Sequence, residues 1–104
     1  MAKFRKKPII IEALQLRWDT WQEMCTFAGV GKLEDGKPSG TYVDANGEAT
    51  EKVPPDPARI GLLIPTLEGL MLGVENDWII RGIKGELYPC KDDIFQATYE
   101  PVNE

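Results

Sequence analysis

The sequence predicts an α+β fold, a twisted, mostly antiparallel sheet of five or six strands with one main helix and a short helical turn near the C-terminus. Three features favour it: an alternating apolar segment near the start, an amphipathic segment after it, and short apolar segments separated by glycine turns from Ile60 onward. A small, partly open β-barrel is the alternative. The length of 104 residues indicates a single domain, residues 1–104, with one modest core.

The N-terminal region predicts a strand followed by a helix. Residues 8–17 carry apolar side chains on both faces, which indicates a central strand or an edge covered by a helix. The basic residues 3–7 are expected to be a mobile or edge-protecting arm. Thr20 and Glu23 have the spacing of a capping box. The predicted helix has an apolar stripe of Trp21, Met24, Cys25 and Ala28, and ends at Gly29 or Gly31.

Residues 31–59 are interpreted as a loop and hairpin excursion within the domain, because they are rich in glycine, proline and charge. Asn46-Gly47, between two short apolar segments, is the strongest hairpin signal of the chain. We predict an exposed hairpin that can be replaced by a short linker without loss of folding. The segment is interpreted either as a functional element or as a tolerated surface insertion.

The second half is expected to be rich in strands. Strands are predicted at Gly61–Thr66, Leu70–Val74, Trp78–Arg81, Glu86–Tyr88 and Ala97–Val102, with a helical turn at Lys91–Phe95. We expect the last strand to pair with the first. Asp77 is expected to cap a turn through its side chain. Trp78, Phe95 and Tyr99 are predicted core anchors.

Composition excludes much catalytic chemistry. Histidine is absent, which excludes Ser-His, Cys-His and His-metal mechanisms within one chain. Ser39 has no accompanying base motif, and neither Gly29–Lys32 nor Asp44–Glu48 has the full spacing of a phosphate or calcium loop. The adjacent carboxylates Asp92 and Asp93 are interpreted as solvated or capping groups. We therefore predict no enzymatic activity, no cofactor and no metal site.

The charge distribution and the hydropathy of the chain limit the classes of partner that we expect. The net charge is −5, but the first 17 residues carry +4, which leaves −9 for the remainder. That acidic bulk would repel phosphates, so nucleic acid is not an expected partner. No stretch approaches ~18 apolar residues, and Glu12 interrupts the one segment that resembles an export signal. We expect a cytoplasmic protein without membrane contact, with Cys25 and Cys90 as free thiols.

Three motifs in the chain are shared with a known group of proteins. They are Asp77-Trp78-Ile79-Ile80-Arg81-Gly82, Gly85-Glu86-Leu87-Tyr88-Pro89-Cys90-Lys91 and Ile94-Phe95-Gln96-Ala97-Thr98-Tyr99-Glu100-Pro101. Together with Phe4-Arg5-Lys6-Lys7-Pro8, they resemble small uncharacterised phage and prophage proteins related to the PGDYG family, over residues 3–17 and 60–102. Glu75-Asn76-Asp77 stands where that family has Pro-Gly-Asp. The resemblance implies a phage or prophage accessory gene in a bacterial host, and no particular activity.

Two hypotheses about function follow. In the first, the chain is a phage accessory protein that binds and inhibits a host protein, such as a defence protein, through Tyr42, Asp44, Glu48 and Glu51. In the second, it binds or sequesters a small molecule, such as a nucleotide signal, through Arg81, Lys84, Tyr88 and Lys91. Homo-oligomers are compatible with either hypothesis. Of Trp18 and Trp21, at the helix start, one is expected in the core and the other at a surface, where aromatic residues often mark interfaces.

Overall fold

The computed structural model describes residues 1–54 and 59–102 and has the predicted α+β architecture. Its strands are β1 (Glu12–Gln15), β2 (Ser39–Val43), β3 (Ala49–Thr50), β4 (Arg59–Thr66), β5 (Gly69–Val74), β6 (Trp78–Arg81) and β7 (Leu87–Cys90). Its helices are α1 (Trp21–Ala28) and α2 (Asp92–Thr98), with short 3-10 turns at Trp18–Thr20 and Leu33–Asp35. Within the described ranges, no helix is long and apolar enough to cross a membrane.

The strands form two antiparallel sheets rather than the single sheet that was expected. One sheet has the order β1-β6-β7 and the other β3-β2-β4-β5. The core joins apolar residues of both sheets to α1, and comprises Leu16, Met24, Ala28, Ile60, Leu62, Ile64 and Ile79. Fully burying such a leucine, isoleucine or methionine side chain contributes about 1.5–3 kcal/mol. The N-terminal helix and the strand-rich second half therefore stabilise one another.

The first strand is shorter than predicted and lies at an edge. β1 pairs with β6 from Gln15, opposite Trp78, to Glu12, opposite Arg81. At Gly82 the chain leaves β6 for a turn, in which the Gly85 N–H donates to the Gly82 carbonyl at 3.0 Å. Residues 8–11 therefore extend past the end of their only neighbour and pair with no strand of the described chain. The prediction of a strand from residue 8 is wrong for these four residues in the single chain.

The helix α1 forms where predicted, but its capping box does not. The 3-10 turn Trp18–Thr20 leads directly into α1, so Thr20 has φ −107° and ψ 7° instead of the extended backbone usual at an N-cap. Its hydroxyl donates to the Gln15 carbonyl at 2.7 Å and makes no capping hydrogen bond. Gly29 ends the helix in the left-handed conformation, with φ 66°, as predicted.

The hairpin around Asn46-Gly47 forms, but its first strand is integral to a sheet. The Gly47 N–H donates to the Asp44 carbonyl at 3.0 Å and closes the turn. β2 then pairs with β3 on one side and with β4, over five residue pairs, on the other. Val43 is only 2% exposed. Interpreting all of residues 31–59 as an excursion is therefore incorrect for β2, while residues 55–58 of that segment lie outside the described residues.

The C-terminal region contains a helix where the last strand was predicted. α2 continues to Thr98, and no strand is assigned to residues 97–102, so the expected pairing with β1 does not occur. Trp78, Phe95 and Tyr99 are half-buried rather than core residues. The Phe95 ring stacks on Trp78 with centroids 4.2 Å apart and on Tyr99 with centroids 5.0 Å apart. These aromatic residues hold α2 against the β1-β6-β7 sheet.

The turn between β5 and β6 is organised by a buried carboxylate. Asp77 is 4% exposed, and its side chain accepts the Val74 N–H at 2.9 Å, which confirms its predicted capping role. Lys91 donates to both carboxylate oxygens of Asp77 at 3.1 Å. Asn76 occupies the left-handed region with φ 77°, a conformation that asparagine tolerates better than most residues. This turn thereby links β5, β6 and the residue that precedes α2.

Candidate functional site

A cavity of about 420 Å³ lies where the start of α1 meets the β3-β2-β4 face of the larger sheet. Its lining residues are Trp18, Trp21, Gly40, Thr41, Tyr42, Thr50, Glu51 and Ile60. Three aromatic residues and one acidic residue therefore line one concave surface. Two of the predicted partner-binding residues, Tyr42 and Glu51, are among them.

The two tryptophans have different roles in this cavity. Trp18 is 51% exposed, as expected for the surface tryptophan, whereas Trp21 is half-buried and packs against the hydrophobic core rather than lying within it. Trp21 lies directly on the backbone of Gly40: a Cβ atom placed there would be 2.7 Å from the indole ring. Glycine at position 40 therefore lets the edge of the indole approach the β2 backbone closely, and both residues line the cavity.

Strand pairing brings Tyr42 to the same wall as Thr50. Tyr42 lies opposite Thr50 on β3 and opposite Ile60 on β4, and directly opposed residues of antiparallel strands project to the same face. The Thr50 hydroxyl accepts the Lys52 N–H at 3.2 Å, which fixes the turn that contains Glu51. Within the described residues, no basic side chain lies within 4.0 Å of the Glu51 carboxylate. The carboxylate is thus available to a ligand.

The other two residues of the first hypothesis do not line the cavity. The Asp44 carboxylate accepts the backbone N–H groups of Asn46 at 2.9 Å and Glu48 at 3.0 Å, so Asp44 stabilises the hairpin turn. Glu48 is exposed at that turn. The structure therefore separates the four predicted residues into a cavity pair and a turn pair.

The residues of the second hypothesis are not brought together. Arg81 pairs in register with Leu87, and Tyr88 with Ile80, so Arg81 and Tyr88 project from opposite faces of the sheet. Arg81 stacks over the Phe27 ring at 4.3 Å, donates to the Phe27 carbonyl and forms an ion pair with Glu12 at 3.4 Å. These contacts direct its guanidinium toward α1.

The remaining two cations of the second hypothesis also lie apart. Lys91 is paired with Asp77, and Lys84 is exposed at the β6–β7 turn, where its backbone N–H donates to the Glu86 carboxylate at 3.0 Å. No shared anion-binding surface results from the four residues. The four residues are close in sequence around one hairpin, which suggested that they form a cluster. Because side chains alternate between the two faces of a strand, the hairpin separates them instead.

Burial, and secondarily the neighbouring Tyr99, raise the pKa of Tyr88 from 10.0 to about 12. A raised pKa in the folded state means that the stability linked to this group is complete below about pH 10 and is lost as the pH rises toward 12. We expect Tyr88→Phe, which cannot ionise, to lose stability less steeply across that window than the parent protein. Melting temperatures measured at intervals through the window check this. The melting temperature of each protein is expressed relative to its value at about pH 8, where tyrosine is neutral in the folded and the unfolded state. If the relative melting temperatures of parent and variant then fall equally with pH, the prediction is contradicted.

Comparisons of this chain with protein-family models, curated proteins and solved structures find no match. The relation to phage proteins therefore stays a prediction that depends on the motifs of residues 3–17 and 60–102.

Proposed function

We propose that this protein acts by non-enzymatic binding and that the cavity between α1 and β2 accepts a basic side chain of a partner protein. The observation that carries the proposal is that Trp18, Trp21 and Tyr42 line one cavity together with the acidic residue Glu51. Aromatic ring faces attract cations, and tryptophan does so most strongly. A carboxylate at the rim adds an ion pair and, for a guanidinium group, a hydrogen-bond acceptor.

The chemistry of the cavity favours a cation over other ligands. An anion would meet Glu51 and the acidic bulk of the chain, and the described residues that line the cavity include no basic one to offset the repulsion. A purely apolar ligand would displace water from Glu51 and offer no hydrogen bonds in place of those that the water made. The volume of about 420 Å³ is large enough for an arginine or lysine side chain.

The resemblance to phage accessory proteins supports a host protein as the partner. A phage protein that covers a basic residue needed by a host protein would inhibit it without any catalysis, and a defence protein is one such target. The exposed Trp18 provides the aromatic anchor that protein interfaces favour at their centre.

A matched pair of ligands tests the proposed chemistry. N-acetyl-arginine amide and its neutral isostere N-acetyl-citrulline amide are titrated while the indole N–H signals of Trp18 and Trp21 are followed by NMR. We expect the arginine compound alone to shift these two signals. Glu51→Gln should weaken its binding by about two- to fivefold, the effect of losing one exposed ion pair.

Glu48→Gln is the matched control, because it removes the same charge from an exposed glutamate of the same hairpin that does not line the cavity. It should leave the arginine titration unchanged. Equal binding of the citrulline compound, or equal effects of the two substitutions, would reject the cation site. Capture from host lysate with parent and Trp18→Ala baits then identifies the partner by mass spectrometry.

A further inference from the structure

The N-terminal edge of the β1-β6-β7 sheet presents an unpaired apolar segment. In the part of the chain that the structure describes, β1 pairs with a strand on one side only, and residues 8–11 continue beyond the last register pair, Glu12 with Arg81. Ile9 is 47% and Ile10 70% exposed. A run of β-branched residues at an open sheet edge is a template for pairing with another chain, because its N–H and C=O groups have no partner strand.

A groove of about 480 Å³ adjoins this edge and increases its apolar area. One wall is the segment from Ile9 to Ala13, and the other consists of aromatic and apolar residues at and after α2, among them Phe95, Tyr99 and Val102. Val102 is 58% exposed. The exposed isoleucines thus belong to a larger apolar surface.

The charges around the groove indicate what covers it. Among the described residues, the charged ones that line it are Glu12 and Glu100, both acidic, and the exposed Glu12 carboxylate also pairs with Arg81 at 3.4 Å. The segment that immediately precedes the apolar run is basic, with Arg5, Lys6 and Lys7. Lys6 already lies near this edge, with its Nζ 5.7 Å from the centroid of the Tyr99 ring.

We propose that a second copy of this chain covers the edge, by antiparallel pairing of residues 8–11 of the two copies about a two-fold axis. Antiparallel pairing places the basic arm of each copy beside Glu12 of the other copy, and the contact occurs twice because the interface is isologous. A parallel arrangement would instead place the basic arm of one copy beside the basic arm of the other, so that like charges face each other. In the dimer, residues 8–11 gain the strand partner that the single chain does not give them.

Sedimentation velocity or light scattering on the full chain tests this proposal. We expect the mass of two 11.7 kDa chains for the parent protein, with dissociation on dilution. Ile10→Lys should shift the protein to the mass of one chain. Leu67→Lys is the control, because Leu67 is also an exposed apolar residue, at 108%, but lies on the turn between β4 and β5 of the other sheet. A monomeric parent protein, or an Ile10→Lys variant that remains dimeric, would overturn the proposal.

A charge exchange tests the antiparallel arrangement itself. One variant carries Lys6→Glu and Lys7→Glu, and the other carries Glu12→Lys. Each should dimerise more weakly than the parent, because like charges then face each other. Mixing the two should restore the dimer as a heterodimer, in which both arm contacts pair opposite charges. Failure of the mixture to form a heterodimer would reject the antiparallel pairing.

Neither variant alters a residue that lines the cavity with Trp18 and Trp21, so the outcome is independent of the arginine titration.

Discussion

A chain in which a short Gly/Ser linker replaces residues 38–56 is expected to lose its cooperative unfolding transition. The replacement removes β2 and β3, exposes the β4 edge with which β2 makes five residue pairs, and deletes Gly40, on which Trp21 lies. The burial of Val43 alone is worth about 1.5–3 kcal/mol, against a total stability of about 5–15 kcal/mol for a typical domain. This expectation reverses the one drawn from the sequence, in which the whole segment was dispensable.

The matched control lengthens the hairpin at its tip and keeps both strands. Inserting a Gly/Ser stretch after Asn46 leaves β2 and β3 intact, and each doubling of the loop length costs only about 0.6 kcal/mol. Thermal melts followed by far-ultraviolet circular dichroism compare the two chains. A deletion variant that melts cooperatively near the parent temperature would show that β2 is not needed for folding.

Asp77→Ala is expected to produce the largest loss of stability among single substitutions of the acidic residues. It leaves the Val74 N–H without its acceptor, at a cost of about 1–3 kcal/mol, and also removes the partner of Lys91. The tight turn between β5 and β6 then loses this hydrogen bond and the ion pair, and keeps only the backbone hydrogen bond that the residue 77 N–H donates to the Val74 carbonyl. Urea denaturation of the parent and the variant measures the difference in free energy of unfolding.

Asp19→Ala provides the comparison. Asp19 forms an ion pair with Arg17 at 3.2 Å, close to the 3.1 Å between Asp77 and Lys91, but its side chain is 67% exposed, against 6% for that of Asp77. Exposed pairs of this kind contribute about 0–1 kcal/mol. Equal losses for the two substitutions would mean that the burial of Asp77 and its hydrogen bond to the Val74 N–H contribute nothing measurable.

Local signals in the sequence were sufficient for most of the individual elements. The β4–β5 hairpin, β6, the turn at Asn46-Gly47 and the helix stop at Gly29 all follow from turn residues and from periodicity within a few positions. The errors occurred where the outcome depended on distant contacts. Residues 97–98 carry a strand-like pattern, but α2 continues through them, and this places the Phe95 ring between Trp78 and Tyr99, with which it stacks.

The candidate site was predicted only in part for the same reason. Tyr42 and Glu51 were identified because they lie on a hairpin, and Trp18 because it precedes a helix. Only the pairing of β2 with β4 and the packing of Trp21 on Gly40 place these residues around one cavity. The signal available in the sequence was Gly40, because a glycine within a strand often marks a place where another group approaches the backbone closely. Here that group is the Trp21 indole.

Pro89 lies in β7, the other edge strand of the β1-β6-β7 sheet. Proline has no N–H to donate, so an approaching strand would find a gap in the row of donors along that edge. Under the proposed pairing the sheet grows at the β1 edge, whereas Pro89 disfavours growth at the β7 edge. In the proposed dimer, the two three-stranded sheets would join into one continuous sheet with a β7 strand at each end. Polymerisation into filaments through these sheets would stop at two copies.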